Sequence, residues 1–308
     1  MNPTFFRVGE TGVPAYFILL LSGFLFAIAL QALGAKRIGQ NPDAMVDLGI
    51  SMLLWGLIGS RVLHVLADGY FMDYVHLCTD PAKVSWRIER QECFAAPYDG
   101  IWDPIARVCH PKQADCFAWA KFWAGGLAYY GGFLGASVAA WFSLKKDKFP
   151  FWVAADLAGV TVPVGLAFGR VGCFFGGCCF GAECRLPWSV VFPPGSDASR
   201  AQWKAGTLGS PYLPSHAVHP TQLYEALFAL GLAAAALFWV WPRKRYHGQV
   251  FAFFLGAYAI GRAIIEVWRR DDRGGFLGLS TSQLIGFGLL AAALVIHARR
   301  GKKKEQPA

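Results

Sequence analysis

The sequence predicts an all-α integral membrane protein with seven transmembrane helices, the N-terminus outside and the C-terminus cytoplasmic. Three observations carry that prediction. Hydrophobic residues make up 55% of the 308 residues and charged residues only 16%, whereas a soluble domain averages about 25% charged. The apolar residues gather into seven runs close to the roughly 20 residues that a helix needs to cross a bilayer. Clusters of Lys and Arg fall on alternate connections between those runs, as cytoplasmic loops require. The net charge of +9 therefore reflects topology signals rather than one basic face, and no nucleic-acid partner is expected.

The first run, Pro14–Leu33, follows Met1 to Arg7. It lacks a small-residue cleavage site, so it is expected to remain as a helix. Met45–Leu66 comes next, after Lys36 and Arg37. Phe122–Leu144 precedes Lys145, Lys146 and Lys148, and Phe151–Phe168 follows them. Pro220–Trp241 ends before Arg243, Lys244 and Arg245; Val250–Val267 and Ser282–His297 complete the set. The last is the shortest. Two long connections, about 68–121 and 174–219, then face outward. The basic tail, 298–308, reads as a cytoplasmic anchor beside anionic lipid. No internal repeat is visible, and residues 1–308 read as a single domain.

Cys78, Cys93, Cys109 and Cys116 all fall in the first outer connection. Four cysteines in an oxidising compartment predict two disulfides, with three connectivities open. Cys173, Cys178, Cys179 and Cys184 lack the paired CxxC spacing of common zinc sites, so disulfides are expected there, ahead of free thiols and, last, a metal. Cys178 and Cys179 are adjacent and are expected to find different partners.

Arg170 is the most informative single residue. It ends a long apolar run inside Gly169-Arg170-Val171-Gly172-Cys173-Phe174-Phe175-Gly176-Gly177-Cys178-Cys179-Phe180-Gly181. An arginine at membrane depth costs roughly 2.5–3.5 kcal/mol on insertion scales and usually marks a paired charge or a substrate path. The glycines around it predict a sharply turning backbone and a pocket for an anion. In a bilayer the obvious anion is a phospholipid phosphate.

Tyr258, Arg262 and Glu266 recur every fourth residue and so share one helical face, where Arg262 reaches Glu266. A purely structural ion pair is the competing reading. Arg269 and Arg270 follow, at a depth where they can snorkel to the interface. Arg61 is a second intramembrane arginine, with His64 one turn later reading as a packed histidine. His219-Pro220-Thr221-Gln222-Leu223-Tyr224-Glu225 carries polar groups into the fifth run, and Tyr129-Tyr130-Gly131-Gly132 opens the third.

These motifs resemble the prolipoprotein diacylglyceryl transferase family over nearly the whole chain. His219 to Glu225 is close to its HPxQLYE, and Tyr258–Arg262–Glu266 fits its YxxxRxxxE helix. Gly59-Ser60-Arg61 resembles its second-helix motif, and Tyr16 falls near its first-helix tyrosine. Gly169, Arg170, Gly172, Phe174 and Gly181 fit the signature G-R-x-G-N-F-x-N-x-E-x-x-G. Cys173, Gly176 and Cys178 stand where that pattern has Asn, Asn and Glu, and Tyr130 stands where His is common.

The resemblance implies an enzyme of the bacterial inner membrane that acts without a cofactor. It would move diacylglyceryl from phosphatidylglycerol to the lipobox cysteine thiol of a preprolipoprotein signal peptide, surrounded by membrane lipid. It implies catalytic roles for Arg262, Tyr130 and Glu266. Substrate binding would fall to Arg170, Arg61, Tyr16, His219, Gln222 and Tyr258. Arginines would stabilise charge on the departing glycerol phosphate, and the thiol must become a thiolate to attack. A relative that binds phospholipid without catalysis is the alternative that the departures leave open. A retinal photoreceptor is disfavoured because no lysine lies between Val250 and His297. Nor does any inverted repeat support a transporter.

Overall fold

A computed structural model describes residues 4–8, 11–88, 90–94, 98–121, 126–269, 275–276 and 279–302. The chain divides into two compact units, Met1–Val46 with Phe149–Ala308, and Asp47–Lys148.

In the first unit, β1 (Thr4–Val8) and β2 (Thr11–Pro14) form an antiparallel hairpin leading into α1 (Ala15–Arg37). Helix α2 (Pro42–Ala67) starts in this unit and lies mostly in the second. Asn41 accepts a hydrogen bond from the Asp43 amide at its start, 3.0 Å away, which satisfies one donor that the first turn leaves open.

The second unit continues with α3 (Phe71–Thr79) and α4 (Arg90–Cys93), then a hairpin of β3 (Gly100–Asp103) and β4 (Val108–Pro111). Disulfides Cys78–Cys116 and Cys93–Cys109 fasten this region. The expected pair of bridges is present, and folding selects one of the three connectivities. Helix α5 (Tyr129–Lys146) follows. It crosses α2 closely: a Cβ added at Gly131 would overlap the Gly59 carbonyl, and one at Gly59 would overlap the Gly131 carbonyl. Small residues at such a crossing let two apolar helices touch along their backbones.

Back in the first unit, α6 (Phe151–Gly176) is the central helix, packed by α1, α8 (Thr221–Ala234) and α9 (Gln249–Glu266). Half of its most apolar window is buried, against 6% for α1 and for α10 (Thr281–Gly301). So α6 is a core helix and α1 and α10 are peripheral, with Phe17, Leu25, Phe26 and Leu294 exposed as a lipid-facing surface requires. Between α6 and α8 lies α7 (Asp197–Lys204), capped by Ser196, whose hydroxyl accepts from the Ser199 amide. Phe180, Phe192, Ala198 and Val218 form a small core there, so the expected loop 174–219 is a packed substructure. A short hairpin, β5 (Gly275–Phe276) and β6 (Leu279–Ser280), precedes α10.

Among the described residues six helices are long and apolar enough to cross a membrane: Ala15–Arg37, Pro42–Ala67, Phe151–Gly176, Thr221–Arg243, Gln249–Glu266 and Ser282–Gly301. The third expected run is carried by α5, which is not among the six; residues 122–125 at its start lie outside the described residues. Several boundaries differ from expectation. Helix α6 continues beyond Phe168 through Gly169, Arg170 and Gly172, because packing against α1 and α8 rewards the helical backbone there more than glycine entropy opposes it. The sharp turn expected around Arg170 therefore comes later, at Gly177. Helix α10 likewise runs past His297 to Gly301.

Asp156, fully buried on α6, accepts from the Val250 amide at 3.0 Å and the Phe251 amide at 3.3 Å, with Lys244 Nζ 3.3 Å away. It satisfies the opening turn of α9 from a neighbouring helix, and a carboxylate suits that positive end.

Candidate functional site

The site is assembled from the C-terminal end of α6, the start of α8, the second half of α9 and the first residue turn of α10. Gly177 adopts a left-handed conformation, φ 72°, and terminates α6; a side chain there would be strained. The chain then folds back, with the Cys178 amide donating to the Cys173 carbonyl at 3.2 Å. Gln222 Nε2 donates to the Cys178 carbonyl at 2.7 Å, and Thr221 Oγ1 to the Cys179 carbonyl at 2.8 Å. The opening of α8 thus clamps the cysteine-bearing turn.

One turn beyond Thr221 stands Glu225, fully buried. Arg170 Nη2 lies 2.9 Å from its Oε1, and Arg262 Nε 3.8 Å from the same oxygen. Tyr258 donates its hydroxyl to Oε1 at 3.2 Å, and Arg269 Nη1 approaches Oε2 at 3.5 Å. Arg262 also donates to Glu266 at 2.5 Å and to Ser282 Oγ at 3.0 Å. The face shared by Tyr258, Arg262 and Glu266 therefore points inward, towards Arg170. Among the described residues three guanidinium groups meet two carboxylates in this cluster, leaving one positive charge in excess. Burying such charges costs several kcal/mol per ion unless each is paired.

Among the described residues, two polar atoms in the cluster are buried without a hydrogen-bond partner: Arg170 Nε and Gln222 Oε1. One is a cationic donor, the other an acceptor. An oxyanion carrying a hydroxyl nearby would satisfy both, and planar guanidinium groups match phosphate oxygens in bidentate fashion.

Tyr16, at the start of α1, packs on the backbone of Gly172, where an added Cβ would stand 3.2 Å from its ring. Its hydroxyl is near enough to Arg170 and Cys173 to interact with them electrostatically. His219 Nδ1 lies 3.1 Å from the Tyr224 hydroxyl, which also accepts from Trp188 Nε1 at 2.8 Å. His219 thus belongs to an aromatic hydrogen-bonded group at the mouth of α8.

The structure brings Tyr16, Arg170, His219, Gln222, Tyr258, Arg262 and Glu266 together within the first unit. Arg61 and Tyr130 belong to the second. There Arg61 donates to the carbonyls of Ala118, Trp119 and Gly126, at 2.7, 2.7 and 3.0 Å, and lies over the Tyr74 ring. Tyr130 is exposed in the first turn of α5, its ring against Tyr129. His64 is packed and pairs with Asp68 at 2.7 Å, as a structural histidine would.

Two expectations are corrected. Arg269 does not snorkel: it is buried and directed at Glu225, because a fully buried carboxylate attracts it more than the interface does. Arg270 lies outside the described residues. Among the described residues no disulfide joins Cys173, Cys178, Cys179 or Cys184, which are thiols rather than the expected bridges. The first three gather so that their sulfur atoms all lie within 4.8 Å of one another. Adjacent Cys178 and Cys179 reach the same cluster because Cys179 is left-handed, φ 61°. The Cys179 thiol is held below its ordinary value by hydrogen bonds from Cys173 and Cys178, and further by Arg269.

Sequence reasoning missed Glu225 as the hub. The signal was present: a carboxylate entering an apolar helix must find cations, and three arginines stood elsewhere in apolar or border positions.

A polytopic helical membrane protein with a buried, positively charged arginine–glutamate cluster defines a class equipped to hold an anionic lipid group. The chain belongs to the prolipoprotein diacylglyceryl transferase family, whose family model matches residues 3–89 and 104–299. It is similar to the phosphatidylglycerol–prolipoprotein diacylglyceryl transferase of Clostridium tetani, at 26% identity over 99% of this chain and 100% of that protein. The protein of the same name from Corynebacterium diphtheriae is 28% identical over 96% of this chain and 92% of its own. That from Xanthomonas euvesicatoria pv. vesicatoria is 29% identical over 97% and 90%.

Proposed function

We propose that this protein transfers the diacylglyceryl group of phosphatidylglycerol to the lipobox cysteine of preprolipoproteins, the first step of bacterial lipoprotein maturation. The observation that carries this reading is the unpartnered, buried Nε of Arg170 inside a cluster with excess positive charge. Arg170 binds the lipid phosphate; Arg262 stabilises the charge that grows on glycerol phosphate as it leaves, the larger electrostatic contribution in such reactions. Glu266 holds Arg262 at rest and releases it to the phosphate. Tyr258 and Tyr16 line the lipid phosphate, and Gln222 and His219 shape its headgroup side. Arg61 and Tyr130 are assigned by resemblance alone, to the substrate and to thiol activation.

The topology in this reading has seven spans, the third being α5, with the N-terminus outside and the C-terminus in the cytoplasm. Exposed Phe133, Leu134, Trp141 and Phe142 on α5 and Lys145 and Lys146 in its last turn support that span. Residues 1–308 then form one transferase domain in the bacterial inner membrane, with outer regions about 68–121 and 174–219 and a cytoplasmic tail 298–308.

Complementation of a transferase-depleted bacterium tests the proposal. Rescue of growth together with lipidated lipoprotein is expected. A correctly inserted protein that rescues neither would sink it.

A further inference from the structure

We propose that Cys173, Cys178 and Cys179 form a trithiolate site for zinc, whose fourth position takes the acceptor cysteine of the prolipoprotein. The second half of this proposal rests on the transferase reading above; the metal site does not.

The three sulfur atoms lie within 4.8 Å of one another. Ligands at zinc–sulfur bonds of about 2.3 Å sit roughly 3.8 Å apart in a tetrahedron, so closure onto a metal needs only small side-chain movements. The backbone is already bent for it. Neighbouring residues in extended chain point their side chains apart, but the left-handed Cys179 turns both sulfurs toward Cys173. Such a conformation is uncommon for a residue with a side chain and persists only where surrounding structure imposes it. Here Gln222 and Thr221 impose it through the Cys178 and Cys179 carbonyls.

Charge agrees with the geometry. Among the described residues Arg170, Arg262 and Arg269 outnumber Glu225 and Glu266 by one. Zinc bound by three thiolates carries a single negative charge, which offsets that excess. Thiolate ligands select soft cations, and three protein ligands with one open position is the pattern of zinc sites that act on a bound group.

The acceptor needs such a group, because both carboxylates of the cluster are engaged by arginine. A thiol that coordinates zinc loses its proton. Its sulfur then bonds to the glyceryl carbon as that carbon's bond to the phosphate oxygen breaks. The electron pair departs on glycerol phosphate, and the thiol proton ends on that phosphate or in water.

The test uses the full-length protein purified under reducing conditions into phosphatidylglycerol nanodiscs. Elemental analysis should find stoichiometric zinc in the wild type and in Cys184→Ser, and none in Cys173→Ser or Cys179→Ser. Cobalt in its place should give thiolate charge-transfer bands and the d–d bands of a tetrahedral site. Removing zinc with a chelator should slow transfer to a lipobox peptide by roughly 10²–10⁴-fold, the scale of a lost proton-handling group, and zinc should restore it. A zinc-free wild type that cannot be reloaded, or a disulfide among these three cysteines in active protein, overturns the site. Wild-type transfer by zinc-free protein overturns the acceptor role and leaves the transferase reading standing. Zinc-loaded, folded protein without any transfer has the opposite meaning.

Discussion

Arg170 and Glu225 meet at 2.9 Å, although 54 residues and a packed substructure separate them along the chain. The carboxylate is fully buried, and the arginine keeps its Nε free of any partner among the described residues. That asymmetry fixes the fork in place while leaving one charged donor for a ligand.

Replacement of Arg170 by Ala should reduce transfer by roughly 10²–10³-fold, the usual effect of removing one preorganised donor at developing charge. Arg170→Lys should recover only part, since an ammonium lacks the planar fork. The measurement is lipid transfer by purified, monodisperse variants. Near-wild-type activity in Arg170→Ala would remove the phosphate assignment.

Glu225→Gln should destabilise the fold far more than Glu266→Gln. The first leaves the buried Arg262 and Arg269 and the partly buried Arg170 around a neutral amide, and stripping one partner from a buried ionic cluster costs about 3–5 kcal/mol. Glu266 is partly exposed, and among the described residues it pairs with Arg262 alone. Thermal unfolding in detergent reads the difference; equal midpoints would show that Glu225 is not the hub.

Activity should separate Arg262→Ala from Glu266→Gln in the same way. Gln keeps an acceptor for Arg262, whereas Ala deletes the cation that faces the leaving phosphate. Parallel loss of folded protein in both variants would favour a structural ion pair over a catalytic one.

Gly131→Ala should loosen the α2–α5 crossing, because the new methyl would overlap the Gly59 carbonyl. Overpacking of this kind costs typically 1–3 kcal/mol. Faster proteolysis between residues 47 and 148, with site variants of α6 unaffected, is the expected result.

The turn between β3 and β4 should weaken in acid. Amides of Ala106 and Ile105 donate to Asp103 at 3.0 and 2.8 Å and hold its carboxyl below its ordinary value of 3.8. A depressed folded value means the contribution is present above the unfolded value and lost as pH falls through the folded one. Hydrogen exchange at residues 100–111 should therefore rise below about pH 3.8 in the wild type. Asp103→Asn, which keeps an acceptor and cannot titrate, should show no such step.

The sequence by itself determined the class of molecule, six runs apolar enough to cross a membrane, the two disulfides between residues 68 and 121, and Arg170 and Arg262 as charges within apolar helices. Those properties follow from local quantities: runs of apolar side chains, periodicity within one helix and charge beside a segment. Tertiary structure alone decided that Glu225 binds three arginines at once, that Arg269 turns inward and that Cys78 pairs with Cys116. It also decided that three cysteines expected to be oxidised stand together as thiols beside Arg170. Each depends on side chains from several helices meeting in a medium of low polarity, where pairing energies exceed the local preferences that a one-dimensional reading can weigh.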